Sequence, residues 1–257
     1  MAQSSSIEWT DATWNPVAGC TPVSPGCLNC YAARMALRLE SMGGTVAEKY
    51  EGTAKRAKNG RPVFTGRINL DESVLDAPRH WRKGKRIFVN SMSDLFHEAV
   101  PPEYIARVFQ VMVECPQHQF QVLTKRPEIA LELSASLPWP PNVWMGTSVE
   151  NAMYVHRILT LQRVPAHIRF LSIEPMIGPI RRLPLDNIHW VIVGGESGPG
   201  ARPIESEWVI AIRNQCEAKQ VPFFFKQWGG IRKHESGRDL EGRCWNSMPE
   251  GTPEYVA

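Results

Sequence analysis

Short apolar runs recur along the chain, and each ends in small, polar or charged residues before a more helical stretch begins. Six of them have the length and composition of buried β-strands. They lie at 86–91, 120–125, 142–148, 169–174, 190–196 and 221–227. With an N-terminal strand before Cys20, they predict about seven strands.

Helical periodicity occupies segments between the strands, for instance at 102–115, 152–163 and 205–219. Pro101 and Pro102 mark the first of these helix starts, because proline is favoured in the first turn. Apolar strands that alternate with amphipathic helices predict a parallel sheet covered by helices, either a barrel or a doubly wound sheet. We favour an α/β fold with a partial (β/α) barrel of about six to seven mainly parallel strands, formed as a single domain over 1–257.

The segment at about 43–70 interrupts this pattern, because it is rich in Gly, Lys and Arg. We interpret it as a basic insertion over the mouth of the barrel, with a short hairpin near Phe64. Two roles stay open, a solvated loop and a lid that touches phosphates.

Composition narrows the class of protein but names no partner. The 257 residues are 43% hydrophobic and 21% charged, with a net charge of +3, which fits a folded domain without a strong nucleic-acid footprint. The N-terminus lacks a signal-like apolar stretch, and no apolar run reaches membrane-spanning length. We therefore expect a cytoplasmic protein without a membrane partner, whose six cysteines are reduced, buried or bound to metal.

The most informative stretch is the cysteine cluster GCTPVSPGCLNC at 19–30. Its prolines and glycines predict a loop that leads into a helix at 31–41, so Cys27 and Cys30 lie near a helix N-terminus, where thiolate is favoured. Three thiolates leave one iron of a four-iron cluster open, since such clusters normally take four. We predict that Cys20, Cys27 and Cys30 hold this metal.

Two alternatives to an iron-sulfur cluster stay open at these cysteines. A remote histidine such as His80 or His97 would complete a zinc site, or the cysteines bind no metal. For the other three cysteines, Cys115, Cys216 and Cys244, we expect packing in the core.

Polar residues at the carboxyl ends of the strands are the other candidates, because active sites of β/α barrels lie there. Glu174, Glu196 and Lys226 are the strongest, as each follows an apolar stretch, and we predict catalytic roles for them. Lys125, Arg126 and Lys226 would suit an anionic substrate such as a nucleotide or a nucleic-acid phosphate. Capping and pairing with Glu150, Glu174 or Glu196 are the alternatives. Trp9, Trp14, Trp144 and Trp228 are expected to pack in the core or to stack on a base.

The Cys-x6-Cys-x2-Cys loop ahead of repeated β/α units resembles the radical S-adenosylmethionine superfamily. That superfamily usually spaces its cysteines by three and two residues, with an aromatic residue before the third. Here Asn29 occupies that place, and Tyr31 is our candidate for the aromatic role. Gly194-Gly195-Glu196 is similar to the Gly-Gly-Glu motif of the superfamily, which normally follows the second strand; the residues matching that position are 90–94.

The resemblance implies a 4Fe-4S cluster whose open iron binds S-adenosyl-L-methionine, and an electron donor that reduces it. It thereby implies an enzyme that begins radical chemistry, with the cofactor held at the strand ends. The predicted cofactor-binding residues are Tyr31, Asn90, Ser91, Asp94, Thr147, Ser148, Gly194 and Gly195.

A second resemblance covers nearly the whole chain. The stretches 9–30, 88–97, 122–127, 143–151, 170–175, 193–200 and 223–229 resemble the phage and bacterial three-Cys-motif proteins, the phage Gp37/Gp68-like family. This family brings no substrate, but it suggests a phage- or operon-encoded partner protein. Three functions stay open: a radical enzyme acting on a nucleotide or nucleic acid, a non-catalytic nucleic-acid-binding protein stabilised by zinc or iron-sulfur, and a hydrolase that uses the carboxylates.

Overall fold

Seven parallel strands form one sheet in the computed structural model, which describes residue 5 and residues 7–250, with the backbone alone at 233 and 234. The strands are β1 Ala12–Trp14, β2 Arg86–Val89, β3 Gln119–Thr124, β4 Val143–Ser148, β5 Ile168–Ile173, β6 Trp190–Gly194 and β7 Phe223–Gln227. They lie side by side in chain order, and all neighbouring pairs are parallel. The sheet curls into a half-barrel, which confirms the predicted partial barrel.

Helices connect most of the strands. They are α1 Tyr31–Glu40, α2 Gly44–Tyr50, α3 Pro102–Glu114, α4 Pro127–Glu132, α5 His156–Leu161, α6 Ser206–Ala218 and α7 Lys233–Ser236. Helices α3 to α6 cover the outer face of the sheet, whereas α1 packs on α2 and the insertion. Short 3-10 helices lie at Pro25–Cys27, Glu72–Val74, Ala77–His80 and Ala152–Tyr154. The helix predicted at 152–163 is therefore divided, since Asn151 caps a 3-10 turn before α5 begins.

The two faces of the sheet are packed differently. On the outer face, residues such as Val122, Met145 and Val191 belong to the large core that includes the helices. On the inner face, aromatic side chains fill the half of the barrel near the amino ends of the strands. They are Trp9, Phe88, Trp144, Phe170, Trp190 and Phe224. The amino-terminal half of the barrel is thus closed by packing, which leaves the carboxyl ends of the strands for ligands.

Packing decides the role of the tryptophans considered for base stacking. Trp9, Trp14 and Trp144 are buried, so the base-stacking alternative was wrong for these three. Trp228 is half-buried, and its ring lies 4.7 Å from that of Phe225.

The insertion at 43–70 is more ordered than a solvated loop. It contains α2 and an antiparallel hairpin, Ala54–Arg56 with Pro62–Phe64, which confirms the predicted hairpin. Its end, Asn69–Leu70, pairs with Val17–Ala18 just after β1. Apolar residues of the insertion pack on α1, and Cys20 and Cys30 lie at the edge of this cluster. The insertion therefore forms one wall beside the cysteine loop.

A last hairpin, Asp239–Leu240 with Arg243–Cys244, follows α7. Segment 245–247 then runs along the edge of β7, where Phe225 N donates to Trp245 O at 2.9 Å and Ser247 N to Phe223 O at 3.2 Å. This segment blunts an otherwise exposed sheet edge. In the part of the chain that the structure describes, every helix is too short or too polar to span a lipid bilayer.

The inner aromatic layer provides a test of the fold. A Cβ atom at Gly146 would overlap the ring of Phe170. We therefore expect Gly146→Ala to lower the free energy of unfolding by about 1–3 kcal/mol, the usual cost of overpacking. Because Phe170→Leu removes the obstructing ring, the double variant should lose less stability than the sum of the single variants. Equilibrium urea unfolding measures this, and additive losses would contradict the packing described.

Candidate functional site

The parallel arrangement brings the predicted polar residues to one edge of the sheet. Asn90 follows β2, Lys125 follows β3, Glu174 follows β5, and Gly195 and Glu196 follow β6. The cysteine loop, residues 20–30, reaches the same edge after β1, where Gly19 pairs with Ser93. The site therefore combines one loop with the carboxyl ends of several strands, as in β/α barrel enzymes.

The three cysteines of the loop lie close enough to interact. Burial and the nearby Asp94 carboxylate raise the pKa of Cys20 to about 12, and the charges of Cys27 and Cys30 contribute in the same direction. Burial also raises the pKa of Cys30, although the amide N–H groups of Ala32 and Ala33 at the start of α1 oppose this. The thiolates that a metal requires thus need positive charge beside them.

Glu150 anchors the first half of the cysteine loop. Its side chain is fully buried, and Oε1 accepts hydrogen bonds from Ser24 Oγ and Lys125 Nζ, both at 2.5 Å. Arg157 Nη1 lies 3.0 Å from Oε2. Burial opposes its charge, but Lys125, Ser24 and Arg157 together hold the pKa of Glu150 below its ordinary value.

A glycine allows the loop to approach this carboxylate so closely. A Cβ atom at Gly26 would lie 2.5 Å from Cγ of Glu150. Gly26 lies directly before Cys27, so the contact positions one of the three cysteines.

Glu196 anchors the second half of the loop. Its Oε2 accepts from Asn29 Nδ2 at 2.8 Å, and Arg202 Nη2 donates to Oε1 at 2.5 Å. The same Arg202 group donates to Pro25 O at 3.0 Å. Burial raises the pKa of Glu196, but the hydrogen bonds from Arg202 and Asn29 outweigh this and lower it. These contacts favour a role in holding the loop, and the predicted catalytic role of Glu196 stays a prediction.

Arg126 connects Cys20 to the carboxylates after β2. Its Nη1 lies 3.9 Å from Cys20 Sγ and 3.1 Å from Asp94 Oδ2, and Nη2 donates to Thr21 O at 3.1 Å. Asp94 also accepts from Thr124 Oγ1 at 2.6 Å. Asp94 is thus occupied by the protein itself, which supports the capping and pairing alternative more than contact with a cofactor.

Glu174 and Lys226 form an ion pair on the inner face of the barrel. Lys226 Nζ lies 3.0 Å from Glu174 Oε1, and the two side chains are 18% and 14% exposed. Ser172 Oγ is 3.3 Å from Glu174 Oε2. A Cβ at Gly194 would come within 2.9 Å of Glu174 Oε1. The pairing alternative therefore holds, yet the pair stays accessible to a ligand in the barrel.

The other predicted cofactor-binding residues differ in whether their polar atoms already have hydrogen-bond partners within the protein. Asn90 is buried in a left-handed conformation with φ 59°, and its Nδ2 has no hydrogen-bond partner although Oδ1 accepts from Val17 N. Tyr31 donates to Ser91 O at 2.5 Å. Thr147 donates to Thr124 O, and Ser148 O accepts from Arg157.

Gly195, also predicted to bind the cofactor, approaches the backbone of the protein itself. A Cβ there would overlap the carbonyl of Trp228. Within the predicted cofactor-binding set, Asn90 offers a buried amide donor that has no hydrogen-bond partner.

The zinc alternative and the alternative without metal both stay open at the three cysteines. Across residues 5 and 7–250, no group of three or more His, Cys, Asp or Glu is arranged to hold a single metal ion. Ring atom Nδ1 of His97 accepts from Ala99 N, and Nε2 lies 2.8 Å from Thr21 Oγ1, so both are engaged. His80 lies in the 3-10 helix before β2, at the amino side of the sheet. In an iron-sulfur cluster each cysteine binds a different iron, so the three thiols need not converge on one ion.

The remaining cysteines follow the prediction in two cases of three. Cys115 and Cys216 are buried, whereas Cys244 is exposed in the last hairpin. The expectation of core packing was therefore wrong for Cys244, because its two-residue strand lies at the surface.

Several residues that shape the site were not among the predicted ones. Glu150 is contacted by Ser24 and Arg157. Glu196 is contacted by Asn29 and Arg202. Asn29 offered the clearest signal, since it lies directly before Cys30 in the cysteine loop. The arginines offered none, because their partners are remote in sequence.

Fold and site together define a class: a parallel α/β half-barrel with a loop of three interacting cysteines at the carboxyl ends of its strands. The chain belongs to the family described as protein of unknown function DUF5131, whose model matches residues 4–249. No curated protein and no solved structure matches it.

The anchor at Glu150 can be tested without any metal. Glu150→Gln leaves Lys125 and Arg157 without their buried carboxylate, so we expect a loss of about 3–5 kcal/mol in the free energy of unfolding. Glu98→Gln is the control, because that side chain is 56% exposed beside Arg126 and should cost less than about 1 kcal/mol. Urea unfolding at neutral pH compares the two.

The same comparison has a pH dependence with a defined sign. Since the pKa of Glu150 is lowered by folding, its contribution is complete above the ordinary value of 4.5 and is lost as the pH falls through the folded value. The stability difference between the wild type and Glu150→Gln should therefore shrink in acid. A difference that stays constant from pH 7 to strongly acidic pH would contradict this account.

Proposed function

We propose that the protein is a radical S-adenosylmethionine-type enzyme, in which Cys20, Cys27 and Cys30 hold a 4Fe-4S cluster. The observation that carries the proposal is the placement of three interacting cysteines at the open end of a half-barrel. The aromatic layer closes the opposite end. A reactive group at this loop would therefore face an interior with accessible polar residues.

The donor set fits such a cluster. Three cysteine thiolates bind iron in preference to hard cations such as Mg²⁺ or Ca²⁺. Lys125 and Arg126 place positive charge beside the loop. Once bound, such a cluster would supply the one-electron chemistry that starts a radical reaction on S-adenosylmethionine. The chain itself would bind and orient the cofactor and the substrate and exclude water from them.

Each part of the site then has a defined task. Glu150 and Glu196 hold the two halves of the cysteine loop, and Arg126 offsets the negative charge of Cys20. Asn90 presents an unpaired amide donor, suited to a carboxylate of the cofactor. Glu174 and Lys226 offer one acceptor and one donor inside the barrel, where a polar group of the cofactor or substrate can exchange with the ion pair.

The substrate that we propose is a nucleotide or nucleic acid. Support comes from the cations near the mouth, Lys125, Arg126 and Lys226, and from the resemblance to phage three-Cys-motif proteins. Pairing with carboxylates reduces the free charge of these three residues. The phage- or operon-encoded partner protein and the electron donor belong to the same proposal.

A second candidate is a non-catalytic nucleic-acid-binding protein stabilised by a metal. It is favoured by one observation: within the described part of the chain, Lys55, Lys58 and Arg61 on the insertion have no carboxylate partner. Backbone phosphates are bound by such surfaces.

The metal assignment predicts that removing a ligand cysteine, but not another cysteine, lowers the iron content. Protein purified without oxygen should contain about four iron and four sulfide ions per chain, and Cys27→Ala should lose most of both. Cys244→Ala is the matched control, because that thiol is exposed outside the site and its removal should leave the iron content unchanged. Stoichiometric zinc in place of iron would contradict the proposal.

The ion pair predicts a loss of chemistry without a loss of metal. Lys226→Met should keep the iron content but reduce dithionite-driven formation of 5'-deoxyadenosine at least about tenfold, because each lost charged contact is worth about 1.5–3 kcal/mol. Lys219→Met removes the cation of an exposed pair with Asp186 and should leave the rate unchanged. Equal rates in both variants and the wild type would refute a role for the pair.

A further inference from the structure

Exposed apolar side chains concentrate beside the cysteine loop. Of the ten large hydrophobic side chains exposed in the described residues, six lie between residues 23 and 46. They are Val23, Leu28, Tyr31, Met35, Met42 and Val46. Tyr31, Met35 and Met42 follow helical spacing along one face of α1 and its continuation, and Leu28 lies between two of the cysteines. We call these six residues the apolar ridge.

The ridge is surrounded by positive charge. Residues 20–70 contain eight Lys or Arg and three Glu, whereas the whole chain has a net charge of only +3. The rest of the protein is therefore net acidic. Arg38 is exposed on the same face of α1, and the hairpin that carries Lys55, Arg56 and Arg61 packs on this helix. None of these four cations has a carboxylate partner in the part of the chain that the structure describes.

This combination points to a protein partner. Met, Tyr and Arg are enriched in protein interfaces, while a surface that binds only phosphates has no need of six exposed apolar side chains. Exposed apolar side chains that concentrate in one region also mark interaction sites in general. The excess of cations around it selects an acidic partner.

We infer that the apolar ridge is the docking surface for an acidic one-electron carrier protein that reduces the cluster. The inference rests on the proposed function, because it needs a cluster at the cysteines beneath the ridge. One electron passes from the reduced carrier to the cluster, so the carrier is oxidised and the cluster is reduced by one electron. The cluster then gives that electron to S-adenosylmethionine, which restores its oxidised state.

The experiment compares two reductants on the loaded enzyme. Dithionite needs no docking surface, whereas reduced flavodoxin, an acidic one-electron carrier, does. The variant Met35→Glu/Arg38→Glu places negative charge on the ridge without changing a residue that we assign to the metal or the cofactor. Met153→Glu is the control, since Met153 is 75% exposed outside the ridge. The readout is 5'-deoxyadenosine formed per minute, together with the iron content.

We expect the ridge variant to keep its iron and its dithionite-driven rate, while kcat/KM for flavodoxin falls at least tenfold. In the wild type that kcat/KM should also fall as salt rises from 50 to 500 mM, because steering by charge is screened. Met153→Glu should match the wild type with both reductants.

Other results would overturn the inference. If the ridge variant used flavodoxin as well as the wild type does, or if it lost both rates equally, the ridge would not be the docking surface. The same holds if the substitutions weakened binding of a single-stranded oligonucleotide and left the flavodoxin rate unchanged. A wild type that holds iron but forms no 5'-deoxyadenosine with dithionite would remove the proposed function, and this inference with it.

Discussion

Two buried carboxylates determine where the cysteine loop lies, and the proposed chemistry depends on that position. Glu150, two residues after β4, accepts a hydrogen bond from Ser24. Glu196, two residues after β6, accepts one from Asn29. Each carboxylate is ionised because neighbouring cations lower its pKa. A loop with two prolines and a glycine would otherwise have many conformations. The sheet supplies both anchors from the same edge, and this holds the cysteine loop at the carboxyl ends of the strands.

Charge balance explains why so many arginines and lysines appear at this edge. Two glutamates and Asp94 concentrate negative charge in a partly buried space, to which metal-bound thiolates would add, and each isolated charge would be costly there. Lys125, Arg126, Arg157 and Arg202 each contact at least one of these groups. The cations that suggested an anionic substrate are therefore largely engaged in holding the site together.

The sequence predicted the sheet well because its strands are buried on both faces and read as continuous apolar runs. All six predicted runs became strands, and the polar residues at their ends met at one edge as parallel strands require. Pairings across the sheet were not predictable. Nothing local shows that Asn29 meets Glu196 or that Arg126 approaches Cys20, because such contacts depend on which strands are neighbours. The tryptophans illustrate the same limit, since Trp9 and Trp144 lie near polar stretches yet pack inside.

In the proposed cluster, the three cysteines would leave one iron of four open to a ligand. A Mössbauer spectrum of the anaerobic protein grown on ⁵⁷Fe, recorded with and without S-adenosylmethionine, tests it most directly. The account predicts cluster iron in which one site of four changes its signal when the cofactor is added. Iron whose spectrum is the same with and without the cofactor, or protein that holds no cluster iron, would contradict it.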